Sequence, residues 1–261
     1  MATQPKSEFQ RVRLSADPPL AQITLNHLPQ NVIDIPMMEE LAAALSELEA
    51  RPEISTVVFS GNSRAFSAGV DVAAHTPNTV REMLAKFHAV IRSVVNSKKV
   101  SIAVVRGNCL GGGAEMAMVC DIVLTARDAK WAFPEIKLAC FPPVAVTALA
   151  ALVGQKRAAE LVLTGRQISG SEAAVIGLAN YALNDDDLPA LLQQELEQLS
   201  KLSPQALAVT KKAAYAWDAV HFEKGLARAE QIYLDELMKT ADAQEGIRAW
   251  LEKREAKWQT K

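Results

Sequence analysis

A mainly parallel α/β fold is predicted by three features of the chain. Short apolar runs of strand length alternate with stretches whose apolar residues recur at helical spacing. One of these runs, residues 101–105, feeds a cluster of four glycines that opens onto a helical stretch. From Asp185 onward the pattern is helical throughout. Repeated strand–helix alternation implies parallel pairing, because each helix carries the chain back to start the next strand in the same direction.

The elements follow in order. Residues 1–8 read as a polar tail. Runs 10–14 and 20–25, split by Asp17, Pro18 and Pro19, predict a hairpin. Residues 26–34 form a loop, and Pro36 then starts a helix with Met37, Leu41, Ala44, Leu45 and Leu48 on one face. Arg51 and Pro52 end it, and 56–59 is a buried-type strand. Small residues and two glycines make 60–71 a tight loop with exposed backbone. A helix over 79–96 presents Val80, Leu84, Phe87, Ile91 and Val94 to the core. Strands are expected at 101–105, 122–125, 131–133 and 179–183. A helix over 144–163 is broken at Gly154, and another starts near Ser169 or Ser171. The last helices are expected over 187–201, 204–217, 221–240 and 242–256. No internal repeat is visible. The division is therefore a core over 1–200 and a helical region over 201–261 whose work is packing, including subunit packing.

At 261 residues, 49% hydrophobic and 22% charged, the chain has the make-up of an ordinary globular protein. A net charge of −2 gives no reason to expect nucleic acid or an acidic membrane surface as partner. No apolar run is long enough to span a bilayer, and residues 1–8 lack the apolar stretch of a secretory signal. Three cysteines, Cys109, Cys120 and Cys140, match no metal spacing and no disulfide framework, so a reducing cytoplasm is the expected location. The four histidines make no ligand cluster.

The chemistry is expected at the glycine cluster Gly107, Gly111, Gly112 and Gly113. A strand that enters a glycine turn opening a helix leaves several N–H groups unpaired and pointing one way. Such donors suit an anion, or an oxygen that becomes anionic during a reaction. Glu115 falls in the first helical turn beside them, a position where an acid can equally be plain dipole compensation. The spacing matches neither a nucleotide-triphosphate loop nor a dinucleotide fingerprint. No G-x-S-x-G elbow occurs, and a small buried thiol is the expected role of Cys109.

Two stretches together, F-S-A-G-V-D at 66–71 and G-N-C-L-G-G-G-A-E-M-A-M-V-C-D at 107–121, resemble the enoyl-CoA hydratase (crotonase) superfamily. W-A-F-P-E-I at 131–136, A-A-E-L-V-L-T-G at 158–165 and G-L-A-N at 177–180 extend the resemblance to nearly the whole chain. It implies a spiral of ββα units with a C-terminal helical region, assembled as a homotrimer or a dimer of trimers. It implies that the N–H groups of Val70 and Gly112 form an oxyanion hole for the thioester carbonyl of an acyl-CoA. Ser67, Ala68 and Asp71 fall at or beside positions that lie against the coenzyme A moiety. Glu115 and Glu135 match the two acids that flank one water in the hydratases. Glu115 is expected to deprotonate the water and Glu135 to handle the proton at carbon. Coenzyme A belongs to the substrate; no separate cofactor and no metal is implied.

The segment after Glu135 departs from the common hydratase pattern. The run P-E-I-K-L-A-C-F-P-P-V-A at 134–145, with N-V-I-D-I-P-M-M at 31–38, resembles the branch of the family that hydrates cyclic dienoyl thioesters. An isomerase or acyl-CoA hydrolase shares the same oxyanion hole, and a non-catalytic acyl-CoA- or RNA-binding member is the alternative of a different class. The acidic balance counts against RNA. His75 reads as a loop residue with a possible reach to the acyl group. Trp217, Trp250 and Trp258 read as packing or interface anchors.

Overall fold

The structure, a computed structural model, describes residues 9–259 apart from the side chains of residues 217–220. The expected polar tail and the Trp217 side chain lie outside the described residues.

Strands β1 (Val12–Asp17) and β2 (Leu20–Leu25) form the antiparallel hairpin. Helix α1 (Ile35–Glu49) begins where Asp34 accepts the Met37 N–H at 2.9 Å, and it buries the face its spacing predicts. Three successive turns of chain then place one strand in each of two sheets. The pairs are β3 (Thr56–Ser60) with β4 (Ala65–Ser67), β5 (Val100–Val105) with β6 (Asn108–Leu110), and β7 (Ile122–Ala126) with β8 (Lys130–Ala132). Helices α2 (Val80–Val95) and α3 (Gly112–Met118) join one turn to the next.

Beyond β8 come α4 (Pro143–Val153), α5 (Gln155–Thr164), β9 (Ile168–Ser169), α6 (Gly170–Val175), β10 (Tyr181–Leu183) and α7 (Leu188–Ser200). The larger sheet has the order β1-β2-β3-β5-β7-β10 and the smaller β4-β6-β8-β9. Between turns the pairing is parallel: Thr56 lies opposite Val100, Ile102 opposite Ile122, and Cys109 opposite Trp131. This is the expected ββα spiral. Strands β3 and β5 are buried along their whole length, so their sequences run apolar rather than alternating.

Two local expectations differ from the structure. Residues 60–71 and 107–111 were expected as loops, yet each holds a three-residue strand of the smaller sheet. Strands so short, flanked by glycine and asparagine, carry too little periodicity to register. Residues 204–235 form one 32-residue helix, α8, in place of two. No proline or glycine falls between 217 and 221 to break it. What changes there is the inward-facing stripe, which shifts from the end of the larger sheet to α4.

Lys211 and Gly225 mark those two contacts of α8. Lys211, 8% exposed, donates to Asp121 Oδ2 at 2.8 Å and to the Lys99 carbonyl at 2.9 Å. At Gly225 a Cβ would sit 2.7 Å from Thr147 Cγ2, so the glycine lets α8 cross α4 closely. Helix α9 (Ala241–Leu251) follows, and Gly246 packs on the backbone of Leu138. Leu226, Tyr233 and Ile247 of these helices belong to the same apolar core as the sheets. Among the described residues, no helix is long and apolar enough to cross a membrane.

Removing the Lys211 ammonium takes the paired charge from the largely buried Asp121 carboxylate and leaves it neutral donors from Ser101 and Tyr215. Lys211→Ala is expected to lower the unfolding free energy by about 3 kcal/mol, read as a lower urea midpoint at unchanged slope.

Candidate active site

The glycine turn is the place where three parts of the site press on one backbone. Gly111 has φ of 49°, and a Cβ there would lie 2.5 Å from Glu135 Oε1. A Cβ on Gly112 would lie 2.6 Å from Val70 Cγ2 and 3.3 Å from the Val70 nitrogen. One on Gly113 would lie 2.7 Å from the Ser67 carbonyl oxygen. Each glycine thus makes room for a different neighbour, and Gly111 also needs a backbone angle that other residues rarely adopt.

The Val70 and Gly112 N–H groups lie side by side. Gly112 opens α3, where N–H groups have no partner within the helix. Among the described residues, neither N–H donates to another backbone group. A buried Asn31, with φ of 51°, fixes the loop carrying Val70. Its amide nitrogen donates to the Ala65 and Phe66 carbonyls at 3.0 and 3.1 Å, and its Oδ1 accepts the His27 N–H at 3.0 Å. The Ser67 hydroxyl donates to the Asn31 carbonyl at 2.7 Å and accepts the Gly69 N–H at 3.0 Å. Sequence reasoning read Asn31 only as part of a resembling run. An asparagine before a helix start is a common loop residue, and the two carbonyls its amide binds lie more than thirty positions away.

Glu115 is 3% exposed. Its Oε1 accepts the N–H groups of Val144 and Ala145 at 2.8 and 3.0 Å, at the head of α4. The carboxylate is therefore bound by the next helix, not by its own, which sets aside simple dipole compensation within α3. Pro143 opens this helix, one residue before the expected start at 144, but nothing in the sequence pointed its donors at Glu115. Glu135 sits on a 3₁₀ turn, Pro134–Leu138, closed by the Cys140 N–H on the Glu135 carbonyl at 3.0 Å. The residue is partly exposed, yet its Oε2 is buried and, among the described residues, has no hydrogen-bond partner.

Burial raises the Glu115 pKa to about 7, and the two α4 donors hold it from going higher. Burial raises Glu135 to about 8, and the neighbouring Glu115 charge pushes in the same direction. Near neutral pH the pair therefore holds one proton. It belongs on Glu135, because two α4 donors stabilise the Glu115 carboxylate, whereas Glu135 has only its own backbone N–H and is pushed further up by the Glu115 charge.

The other predicted positions lie around this pair. Ser67 is fully buried, its hydroxyl engaged by Asn31 and Gly69, and half-buried Ala68 donates its N–H to the Gln30 carbonyl at 2.9 Å. Asp71 caps the 3₁₀ turn Val72–His75 through the Ala73 N–H at 3.0 Å. His75 ties its Nδ1 to the Asp71 carbonyl at 3.0 Å, and burial lowers its pKa. Cys109 is buried in the core, and burial holds its thiol well above the usual range. Trp250 and Trp258 are half exposed. A cavity of about 590 Å³ opens elsewhere, between the far end of α3, α4 and α8. Neither glutamate lines it.

The sequence model described as enoyl-CoA hydratase/isomerase matches residues 16–261. The chain belongs to the enoyl-CoA hydratase/isomerase family of enzymes. Among the family's members, cyclohexa-1,5-dienecarbonyl-CoA hydratase of Thauera aromatica is 34% identical over 251 residues, 96% of this chain and 97% of that one. A probable enoyl-CoA hydratase of Bacillus subtilis (strain 168) is 32% identical over 249 residues, 93% of this chain and 96% of that one. The crystal structure of an enoyl-CoA hydratase from Mycobacterium avium subsp. paratuberculosis K-10 superposes with a TM-score of 0.86 at 24% identity. That match covers 95% of this chain and 98% of the other and bears on the fold.

Two outcomes test the site geometry. Gly112→Ala is expected to displace Val70 and lower kcat/KM by about 10²-fold or more with the far-ultraviolet circular dichroism unchanged. Glu135→Gln is expected to raise the thermal midpoint at pH 8–9, by on the order of 5 °C, and to leave it unchanged near pH 4. The sign follows from the raised pKa. Folding favours the protonated acid, so the native enzyme loses stability as pH rises from the unfolded value of 4.5 through about 8, and the neutral amide does not.

Proposed function

We propose that this chain adds water across an α,β-unsaturated acyl-CoA thioester. The observation that carries the reading is the unequal pair of buried glutamates beside two unpaired N–H donors. Glu115, ionised and held by α4, takes a proton from water. The water oxygen bonds to the β carbon, and the π electrons move onto the thioester oxygen. The Val70 and Gly112 N–H groups hold that enolate oxygen more tightly than the ground-state carbonyl. Glu135, which carries the pair's proton, delivers it to the α carbon. The sum is one water added, and proton exchange with solvent resets the pair. Ser67, Ala68 and Asp71 lie on the loop beside Val70, where the coenzyme A moiety would pass. The groups this chemistry uses are side chains, backbone donors and the thioester itself.

A cyclic conjugated dienoyl thioester is the proposed acyl class. The Thauera aromatica relative, named for that substrate, supports it, as does the aromatic wall that Phe141 and Tyr233 form beyond Glu135. Isomerisation is the second reading, favoured by the proton-sharing pair, since two acids can move a proton between carbons without adding water. We also propose a homotrimer or a dimer of trimers. Val146, Leu152 and Val175 are 42%, 42% and 86% exposed, an apolar surface a partner subunit would cover.

Turnover of cyclohexa-1,5-diene-1-carbonyl-CoA and crotonyl-CoA, with product hydroxyl incorporation from H₂¹⁸O, tests the assignment. Preference for the cyclic diene supports the whole reading, preference for crotonyl-CoA removes the ring, and double-bond migration without ¹⁸O favours the isomerase. Activity is expected to peak between about pH 7 and 8, falling below as Glu115 gains a proton and above as Glu135 loses one.

A further inference from the structure

Among the described residues, four buried side-chain atoms have no hydrogen-bond partner, and two of them belong to Glu135 and to a helix packed near its turn. One is Glu135 Oε2, and the other is the Tyr233 hydroxyl on α8. Tyr233 is 1% exposed, and its ring meets Phe141 edge-on at 5.1 Å between centroids. Its hydroxyl lies beside the Cys140 thiol, a weak sulfur partner without hydrogen-bond geometry whose own S–H goes to the Leu138 carbonyl at 3.6 Å, and Cys140 is held to the Glu135 turn through its N–H. The charges of Glu135 and Glu115 both act on the hydroxyl, and Phe141, which the ring meets, follows the Glu135 turn in the chain, so Tyr233 lies in the neighbourhood of the pair. Burial and these negative neighbours raise its pKa well above the usual tyrosine value, which keeps it a neutral O–H donor.

An unpaired buried hydroxyl costs about 1–3 kcal/mol, and native proteins keep few of them. A phenylalanine would fill the same space, make the same edge contact with Phe141 and carry no such cost. The hydroxyl makes sense where a ligand oxygen becomes its partner. Glu135 Oε2, also without a partner among the described residues, is a second group that such an oxygen could satisfy.

We propose that Tyr233 touches the reacting oxygen. Its O–H donates to the water held by the glutamates and then to the hydroxyl of the hydrated product. This rests on the hydratase reading above. It assigns α8, otherwise a packing helix, a part in the site and makes the wall beyond Glu135 selective for acyl groups that bear an oxygen there. The proton stays on Tyr233 throughout, so the balance of the hydration is unchanged.

The test is Tyr233→Phe, which removes one oxygen and keeps the ring. Its kcat/KM for hydration is expected to fall about 10- to 100-fold, with a thermal midpoint equal to or above that of the native enzyme. Binding is measured in a Glu115→Gln background, which stops turnover, with 3-hydroxybutyryl-CoA and butyryl-CoA as probes. Adding Tyr233→Phe is expected to weaken the hydroxylated thioester at least fivefold and leave butyryl-CoA unchanged. Equal effects on both thioesters, or native kinetics in Tyr233→Phe, would overturn the proposal. If the native enzyme hydrates neither test thioester, the hydratase reading fails separately. The binding pair alone then decides: selective loss of the hydroxylated thioester supports recognition of the oxygen, and its absence ends it.

Discussion

Two backbone N–H groups at the head of α4 hold the carboxylate of Glu115, and much of the site depends on that contact. It ties the helix behind the glycine turn to the helix that begins after the Glu135 loop. It also makes the two acids unequal. Each carboxyl is pushed toward its neutral form by burial, but Glu115 has two donors from another helix that favour its charge, while Glu135 has only its own backbone N–H. A symmetric pair would share its proton without preference. This one has a base and an acid in distinct places, as addition of water to a carbon–carbon double bond requires.

The same turn sets the oxyanion donors. Gly112 must approach Val70 so closely that no side chain fits, and Gly111 must leave space for the Glu135 carboxylate. The rest of the loop at 65–71 is held from behind, by the Asn31 amide and the Ser67 hydroxyl, so that its N–H groups are fixed before any ligand arrives. Donors fixed in advance need no reorganisation when negative charge develops, which is where their catalytic effect comes from. The spiral brings these pieces together because successive turns put their short strands β4, β6 and β8 side by side.

The C-terminal helices are part of this arrangement. Helix α9 rests on the 3₁₀ turn that carries Glu135, and α8 brings Tyr233 against Phe141. Their apolar residues belong to the same core as the sheets. A change in packing at this end of the chain therefore reaches the acid of the pair directly.

The fold class was legible in the sequence because it rests on local signals. The buried strands β3, β5 and β7 are apolar runs, the amphipathic faces of α1 and α2 repeat at helical spacing, and prolines mark helix starts. Gly111 to Gly113 and Glu115 were legible as a site for a related reason: backbone strain and close approach restrict the residue types allowed at single positions. The strands β4 and β6 were not, being too short to show a period. Nor was the unbroken α8, whose inward face changes partner midway. What only the tertiary structure decided is which groups meet. The Glu115 donors come from residues 29 and 30 positions away, Asn31 reaches carbonyls 34 and 35 positions away, and Tyr233 arrives from the far end of the chain. Contacts of that range are set by how the spiral closes, and pKa shifts follow from burial, which no stretch of sequence contains by itself.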